Sequence, residues 1–278
     1  SDLYPMMEPT SIISFVEYYK ESGKVHIVTT GEKGNALIAV KDANGNILWS
    51  WHIWCTEAPE EQTYIVTLPK GDDTEYQIKY IALDRNIGAT RADRGTEEND
   101  WLEAVGFAYQ WGRKDPLYDG CSRHYNTSVN MEYTISHPTM FIVYDDWMSP
   151  LIPNAWSPES KSIYDPCPQG YRVPPSELWR SMTAVSATPD KGYDYKTDGT
   201  NSSYYPYTIS GNWSLDVSSN FGYYWASDLT LEVPYYSSNP SILSRNIGYG
   251  HAVRCIKEMR KGSESDNEDI KDGDIYEW

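Results

Sequence analysis

Residues 36–54 constrain the chain more than any other stretch. Two runs of β-branched and aromatic residues, 36–41 and 47–54, flank Asp42-Ala43-Asn44-Gly45-Asn46. The Asn-Gly step supplies the positive φ angles of a tight turn, so an antiparallel hairpin is predicted. The second run alternates, with Trp49, Trp51 and Ile53 on one face and Leu48, Ser50, His52 and Trp54 on the other. Tryptophan on both faces predicts that both are covered. The turn also looks like the start of a calcium loop, but its twelfth position is Ile53 where an EF-hand needs Glu, so the hairpin reading is preferred. Residues 25–30, 63–68 and 76–83 have the same strand character, the last two split by Pro69-Lys70-Gly71-Asp72-Asp73. The first third reads as consecutive hairpins.

From 87 to 160 the periodicity breaks up among Gly, Pro, Asp and isolated aromatics, which predicts long connections interrupted by one strand at 140–144. Pro175, Glu177 and the spacing of Leu178, Met182 and Val185 predict a helix over 175–185. Residues 191–220 are polar and Tyr-rich with Gly192, Gly199 and Gly211, and read as one long loop system. Strands are predicted at 223–227 and 251–257. In residues 263–278, seven acids against one Lys leave −6 of the net −17. The expected organisation is a lead-in at 1–24, one domain at 25–260 and an acidic tail at 261–278. The tail ends Ile275-Tyr276-Glu277-Trp278, whose alternation would suit a strand pairing with a sheet edge. No repeat of fixed period occurs.

Composition excludes several function classes. Twenty-three Lys and Arg against forty Asp and Glu repel phosphate backbones and anionic headgroups, so neither nucleic acid nor a membrane surface is an expected partner. No apolar run approaches the roughly 18 residues of a membrane helix, and Ser1 through Pro9 lack the blocks of a signal peptide, which reads as a soluble chain that is either processed or excised from a longer one. Twenty-four Tyr and 11 Trp against 4 Phe give nearly every ring a polar edge. Cys55, Cys121, Cys167 and Cys255 form no CxxC pair and no zinc-type cluster. An even count in an acidic, Tyr-rich chain fits an oxidising compartment, with three pairings open.

Six segments occur in a fixed order: LWSWHIW at 48–54, DRNIGA at 84–89, FAYQWGRKDP at 107–116, YDPCPQGYRVPPSELW at 164–179, YYWAS at 223–227 and HAVRCIKE at 251–258. Together they resemble the Fibrobacter major-paralogous domain family, over roughly residues 25–258. The GYRVP-x-x-E-x-W stretch and the closing Cys-bearing strand are similar to the C-type-lectin-like fold shared with formylglycine-generating-enzyme domains. The resemblance implies an α+β, C-type-lectin-like mixed fold with predominantly antiparallel strands, one or two helices and long loops. It implies an extracellular domain on the surface of Bacteroidetes-type bacteria, including fimbrillin-like pilus tips. It also implies a Cys167–Cys255 disulfide, leaving Cys55 and Cys121 to pair by elimination. The chain lacks the EPN, QPD and WND motifs of calcium-dependent C-type lectins.

Catalytic signatures are thin. Asp145-Asp146 beside Trp147 is the most suggestive carboxylate pair, but a solvated loop turn is the preferred reading. No nucleophile elbow and no phosphate cradle occurs, so a non-enzyme without a nucleotide cofactor is expected. Asp190, Asp194 and Asp198 in one loop are weak calcium candidates. His52 and His124 read as packing residues. Arg85, Arg113 and Arg254 read as ion-pairing or ring-stacking locks.

Aromatics carry the binding expectation, because a sugar's C–H face packs on Trp or Tyr while its hydroxyls bond Asp, Asn and Ser. The candidate ligand-binding rings are Tyr193, Tyr195, Tyr204, Tyr205, Tyr207, Trp213, Tyr235 and Tyr236, all assigned to loops. Trp49, Trp51, Trp111, Trp179 and Trp225 are assigned to the core. The expected function is an adhesin-type domain that binds a surface glycan or a host or microbial surface protein. The alternative is a structural pilus subunit or cap that contacts other fibre subunits.

Overall fold

The computed structural model describes residues 12–69, 75–186, 190–197, 201–213, 215–218, 220–228, 230–234 and 239–258. Hairpins open the chain as the alternation predicts. Strand β1 (Ile13–Tyr19) pairs antiparallel with β2 (Lys24–Thr29), so part of the segment read as a lead-in is a strand. Strand β3 (Gly34–Lys41) pairs with β4 (Ile47–Cys55). In the turn between them the Asp42 N–H donates to the Asn46 carbonyl at 2.9 Å, and Gly45 takes a φ of 87°, a value that glycine adopts without a Cβ penalty. Hydrogen bonds from the Asn46 side chain and from backbone N–H groups hold the Asp42 carboxyl below its usual range.

The faces of β4 are covered unevenly. Ser50 is buried and donates to Asp115 at 2.6 Å, His52 bridges Asn35 and Tyr109, and the Trp54 indole donates to the Ala89 carbonyl. Leu48 of that face is 56% exposed, and on the other face Trp51 stays 37% exposed while Trp49 and Ile53 are half-buried.

Strands β5 (Glu61–Pro69) and β6 (Glu75–Leu83) form the third hairpin, with Tyr64, Val66 and Leu68 turned inward and Ile65 outward. Next come a 3-10 turn at Asp100–Ala104, β7 (Tyr109–Gln110), β8 (Arg123–Tyr125), a short helix α1 (Met131–Ser136) and β9 (Phe141–Val143), which runs parallel to β8. The Asn130 side chain caps α1 by accepting from the Tyr133 N–H at 2.9 Å. After β10 (Tyr171–Arg172) the predicted helix reduces to a 3-10 turn at Ser176–Ser181. Leu178 and Met182 are buried as their spacing requires, but the chain then extends. The Val185 N–H donates to the Asp194 carbonyl at 2.8 Å and the Lys196 N–H to the Thr183 carbonyl at 2.9 Å. Pairing with a strand captures backbone groups that a longer helix would have satisfied internally.

That strand belongs to the stretch read as a loop system. It contains β11 (Gly192–Lys196), β12 (Ser202–Pro206), β13 (Ile209–Ser210) and β14 (Asp216–Val217), paired as two antiparallel hairpins. The sequence closes with β15 (Phe221–Trp225), β16 (Thr230–Pro234), β17 (Ser241–Leu243), β18 (Gly250–His251) and β19 (Ile256–Lys257). The regular structure of the described residues is thus mostly antiparallel strand with little helix. One sheet joins early and late chain in the order β10-β19-β6-β5. Beside it Cys167 and Cys255 form a disulfide with Cα atoms 5.8 Å apart.

Cys55 and Cys121 are free thiols, and the pairing reached by elimination does not form. Cys121 lies in the core with Phe141 and Leu117, while Cys55 ends β4 and is half-buried. The acidic tail, with the strand expected at its end, lies outside the described residues, as do residues 70–74 of one predicted turn.

Candidate functional site

Five of the eight candidate rings are core residues. Tyr193, Tyr195, Tyr204, Tyr205 and Tyr207 are buried, and Tyr205 has no exposed surface. In β11 and β12, Tyr205 packs on Trp179, Tyr195 and Tyr224 and reaches Tyr64, while Tyr193 packs on Tyr195. Two of the polar edges are used internally: the Tyr204 hydroxyl donates to the Lys191 carbonyl at 2.9 Å, and the Tyr205 and Tyr64 hydroxyls lie 3.2 Å apart. Burial pushes the hydroxyl pKa of Tyr195, Tyr204 and Tyr205 upward, so they stay neutral. No ring face is left for a ligand, which corrects their assignment to an exposed groove. Tyr235 and Tyr236 lie outside the described residues.

Trp213 behaves differently. It sits between β13 and β14 and is 64% exposed. Together with Asn212 it forms one wall of a cleft of about 380 Å³, whose other wall is Asn126, Val143, Tyr144, Asp145 and Asp146. The carboxylate pair singled out in the sequence therefore shares a cleft with the one candidate ring that solvent can reach among the described residues. Tyr144 is 46% exposed and adds a second ring.

Local structure holds both walls. The buried Trp147 donates its indole N–H to the Trp111 carbonyl at 3.0 Å, and the Val129 N–H bonds the Trp147 carbonyl at 2.8 Å, which anchors the acidic turn from behind. Asn126 takes a φ of 66°, a region that asparagine tolerates better than most residues. The Gly248 N–H donates to the Asp145 carbonyl at 2.8 Å, and a Cβ at Gly248 would come within 1.9 Å of the Tyr144 carbonyl oxygen. Glycine thus permits the backbone approach that sets the cleft's edge. On the opposite wall Gly211 and Gly250 exchange backbone hydrogen bonds at 3.3 and 2.8 Å, and Asn212 donates to the Tyr249 hydroxyl at 3.3 Å.

The cleft's polar groups are open for a ligand. Among the described residues no side-chain hydrogen bond or ion pair engages either carboxylate, and the carbonyl oxygen of the Asn212 side chain is uncommitted. A larger groove of about 480 Å³ along β4 contrasts with this. It is lined by Trp49, Trp51 and Trp54, but its charges are spent within the protein. Lys114 bonds both Asp115 oxygens and Ser50 while lying 4.5 Å from the Trp49 ring centre, and Asp165 is occupied by Lys161 and two backbone N–H groups.

The other described candidates make contacts within the protein. Asp190 pairs with Arg94, Asp194 sits on β11, and Asp198 lies outside the described residues. Burial raises the Asp194 pKa. Among the described residues no group of three or more His, Cys, Asp or Glu side chains is placed to hold a metal. Burial lowers His52 to about 3, and His124 packs against Tyr133. Arg85 grips Asp84 through two bonds of 2.8 and 3.0 Å. Arg113 reaches Gln110 and the carbonyls of Met140 and Pro138, and burial lowers it to about 10. Arg254 bonds Asn86, Asp84, Ser203 and Tyr204. Among the described residues no helix is long and apolar enough to cross a membrane. The chain matches no protein-family model, no curated protein and no solved structure.

Proposed function

We propose that this is a non-catalytic, extracellular binding domain of adhesin type, carried at a bacterial surface on a pilus-tip or fimbrillin-like protein, which recognises a saccharide in the Trp213 cleft. The observation that carries the reading is Trp213 itself: a large ring, 64% exposed, held over a concave surface opposite two unpaired carboxylates. Such a cleft supplies an apolar platform for a sugar's C–H face and acceptors for its hydroxyls. Surface display rests on the ordered motifs that resemble the Fibrobacter major-paralogous family, and the Cys167–Cys255 disulfide fits an oxidising compartment. The lectin-like assignment is supported by the return of β19 to pair with β6 and by the position of that disulfide. The test is an array of saccharides and surface proteins probed with the purified chain, with calcium and with chelator, beside Trp213→Ala. Saccharide binding that survives the chelator and fails in the variant is expected. Silence on every saccharide would overturn the reading.

A second reading, a structural fibre subunit, draws on the β1–β2 hairpin. Phe15, Val16, Tyr18, Tyr19 and Val28 are all exposed there, on a two-stranded ribbon of a kind that is marginal in water on its own. Under this reading Val16→Ser with Tyr18→Ser abolishes incorporation into a fibre while saccharide binding is unchanged.

A further inference from the structure

We infer that the Trp213 cleft selects saccharides bearing a free amino group over neutral ones and rejects those bearing a carboxylate or sulfate. The inference rests on the saccharide reading above and adds the ligand's charge. The concave surface and its two exposed rings make the site; the charges lining it decide which sugars enter. Its lining residues are Asn126, Val143, Tyr144, Asp145, Asp146, Asn212 and Trp213, with two carboxylates and no cation among them. Arg245 stacks on Tyr223 and Tyr249 at 5.3 and 5.9 Å from the ring centres and does not line the cleft.

An ammonium group placed between Asp145 and Asp146 makes charge-assisted hydrogen bonds, roughly twice as strong as those of a hydroxyl. The faces of Trp213 and Tyr144 add attraction for a cation as well as for C–H groups. An acidic sugar meets two unpaired carboxylates on a chain of net charge −17. The difference between a charged and a neutral hydrogen bond corresponds to about tenfold in affinity for the amine, and the preference weakens as salt screens the charges.

The test titrates the purified chain with β-linked glucosamine oligomers, their N-acetylated counterparts and oligosaccharides ending in a uronic acid, at low and high salt. The variants are Asp145→Asn with Asp146→Asn, and Trp213→Ala, each checked for an unchanged thermal melt. Amine binding about tenfold tighter than acetylated, no binding of the uronate, and loss of the preference in the double Asn variant are expected. Acetylated or acidic sugars bound as tightly as the amine, through Trp213, would overturn the charge selection and leave the saccharide reading standing. An amine preference that survives the double Asn change would also overturn it, since it would then come from the acidic surface at large. Binding of none of the sugars would remove both.

Discussion

Replacing Arg254 with Met tests what holds the aromatic core in register. The guanidinium has no exposed surface and joins two distant parts of the chain. It donates to the Asn86 side chain at 2.9 Å and the Asp84 carbonyl at 2.9 Å on one side, and to the Ser203 hydroxyl at 3.0 Å and the Tyr204 carbonyl at 2.8 Å on the other. It also lies 4.2 Å from the centre of the Tyr205 ring. Methionine fills much of the volume but donates nothing. The Asn86 amide and Ser203 hydroxyl can reorient, whereas the two carbonyls are stranded at ~1–3 kcal/mol each. Loss of the cation over Tyr205 adds ~2 kcal/mol when desolvated, and relief of the buried charge gives part of this back. The net expectation is a loss of about 4 kcal/mol, within the range for breaking a buried charged contact. For a chain of this size that lowers the melting temperature by roughly 10 °C. Calorimetry or circular dichroism under non-reducing conditions measures it. A change below about 1 kcal/mol, the effect of an ordinary surface substitution, would refute the claim that Arg254 locks β12 onto residues 84–86.

Reduction of Cys167–Cys255, which are 88 residues apart, removes about 4–5 kcal/mol by chain entropy, seen as a lower melting temperature with reductant. In the unreduced native chain Cys55 reacts with a thiol reagent and Cys121 reacts only after unfolding, since one is half-buried and the other buried; a thiol count of zero in denaturant would contradict their freedom. Burial lowers both His52 and His251 to about 3. The unfolded chain protonates them near 6.5, so between these values it binds more protons than the folded chain, and stability falls as pH falls. Each histidine contributes up to about 1.4 kcal/mol per pH unit in that window. Urea unfolding from pH 7 to 5 reads the slope, which His52→Gln with His251→Gln should flatten; an unchanged slope in that variant argues against burial as the cause.

Local chemistry is what could be read in advance. The Asp42–Asn46 turn, the strands on either side of it and the β5–β6 pair depend on residues close in sequence, whose turn preference and alternation agree. The Cys167–Cys255 bond followed from a resemblance in ordered motifs, not from spacing. What could not be read were structures whose partners are remote. Leu178, Met182 and Val185 keep helical spacing, yet residues 183–185 extend because β11 offers them backbone partners. Polar composition suggested loops at 191–220, but a Tyr can bury its ring and still bond its hydroxyl, as Tyr204 and Tyr205 do, so tyrosine does not distinguish a wet surface from a core. Which ring stays outside is decided by packing. Tyr205 meets Trp179, Tyr195, Tyr224 and Arg254, whereas Trp213, at the tip between β13 and β14, meets solvent. The sequence alone determined that the chain is rich in hairpins, amphipathic rings and acids. Only the tertiary structure brought Asp145 and Asp146 opposite Trp213, because the contacts that do so, from Gly248 to Asp145 and between Gly211 and Gly250, join backbone groups that no local pattern connects.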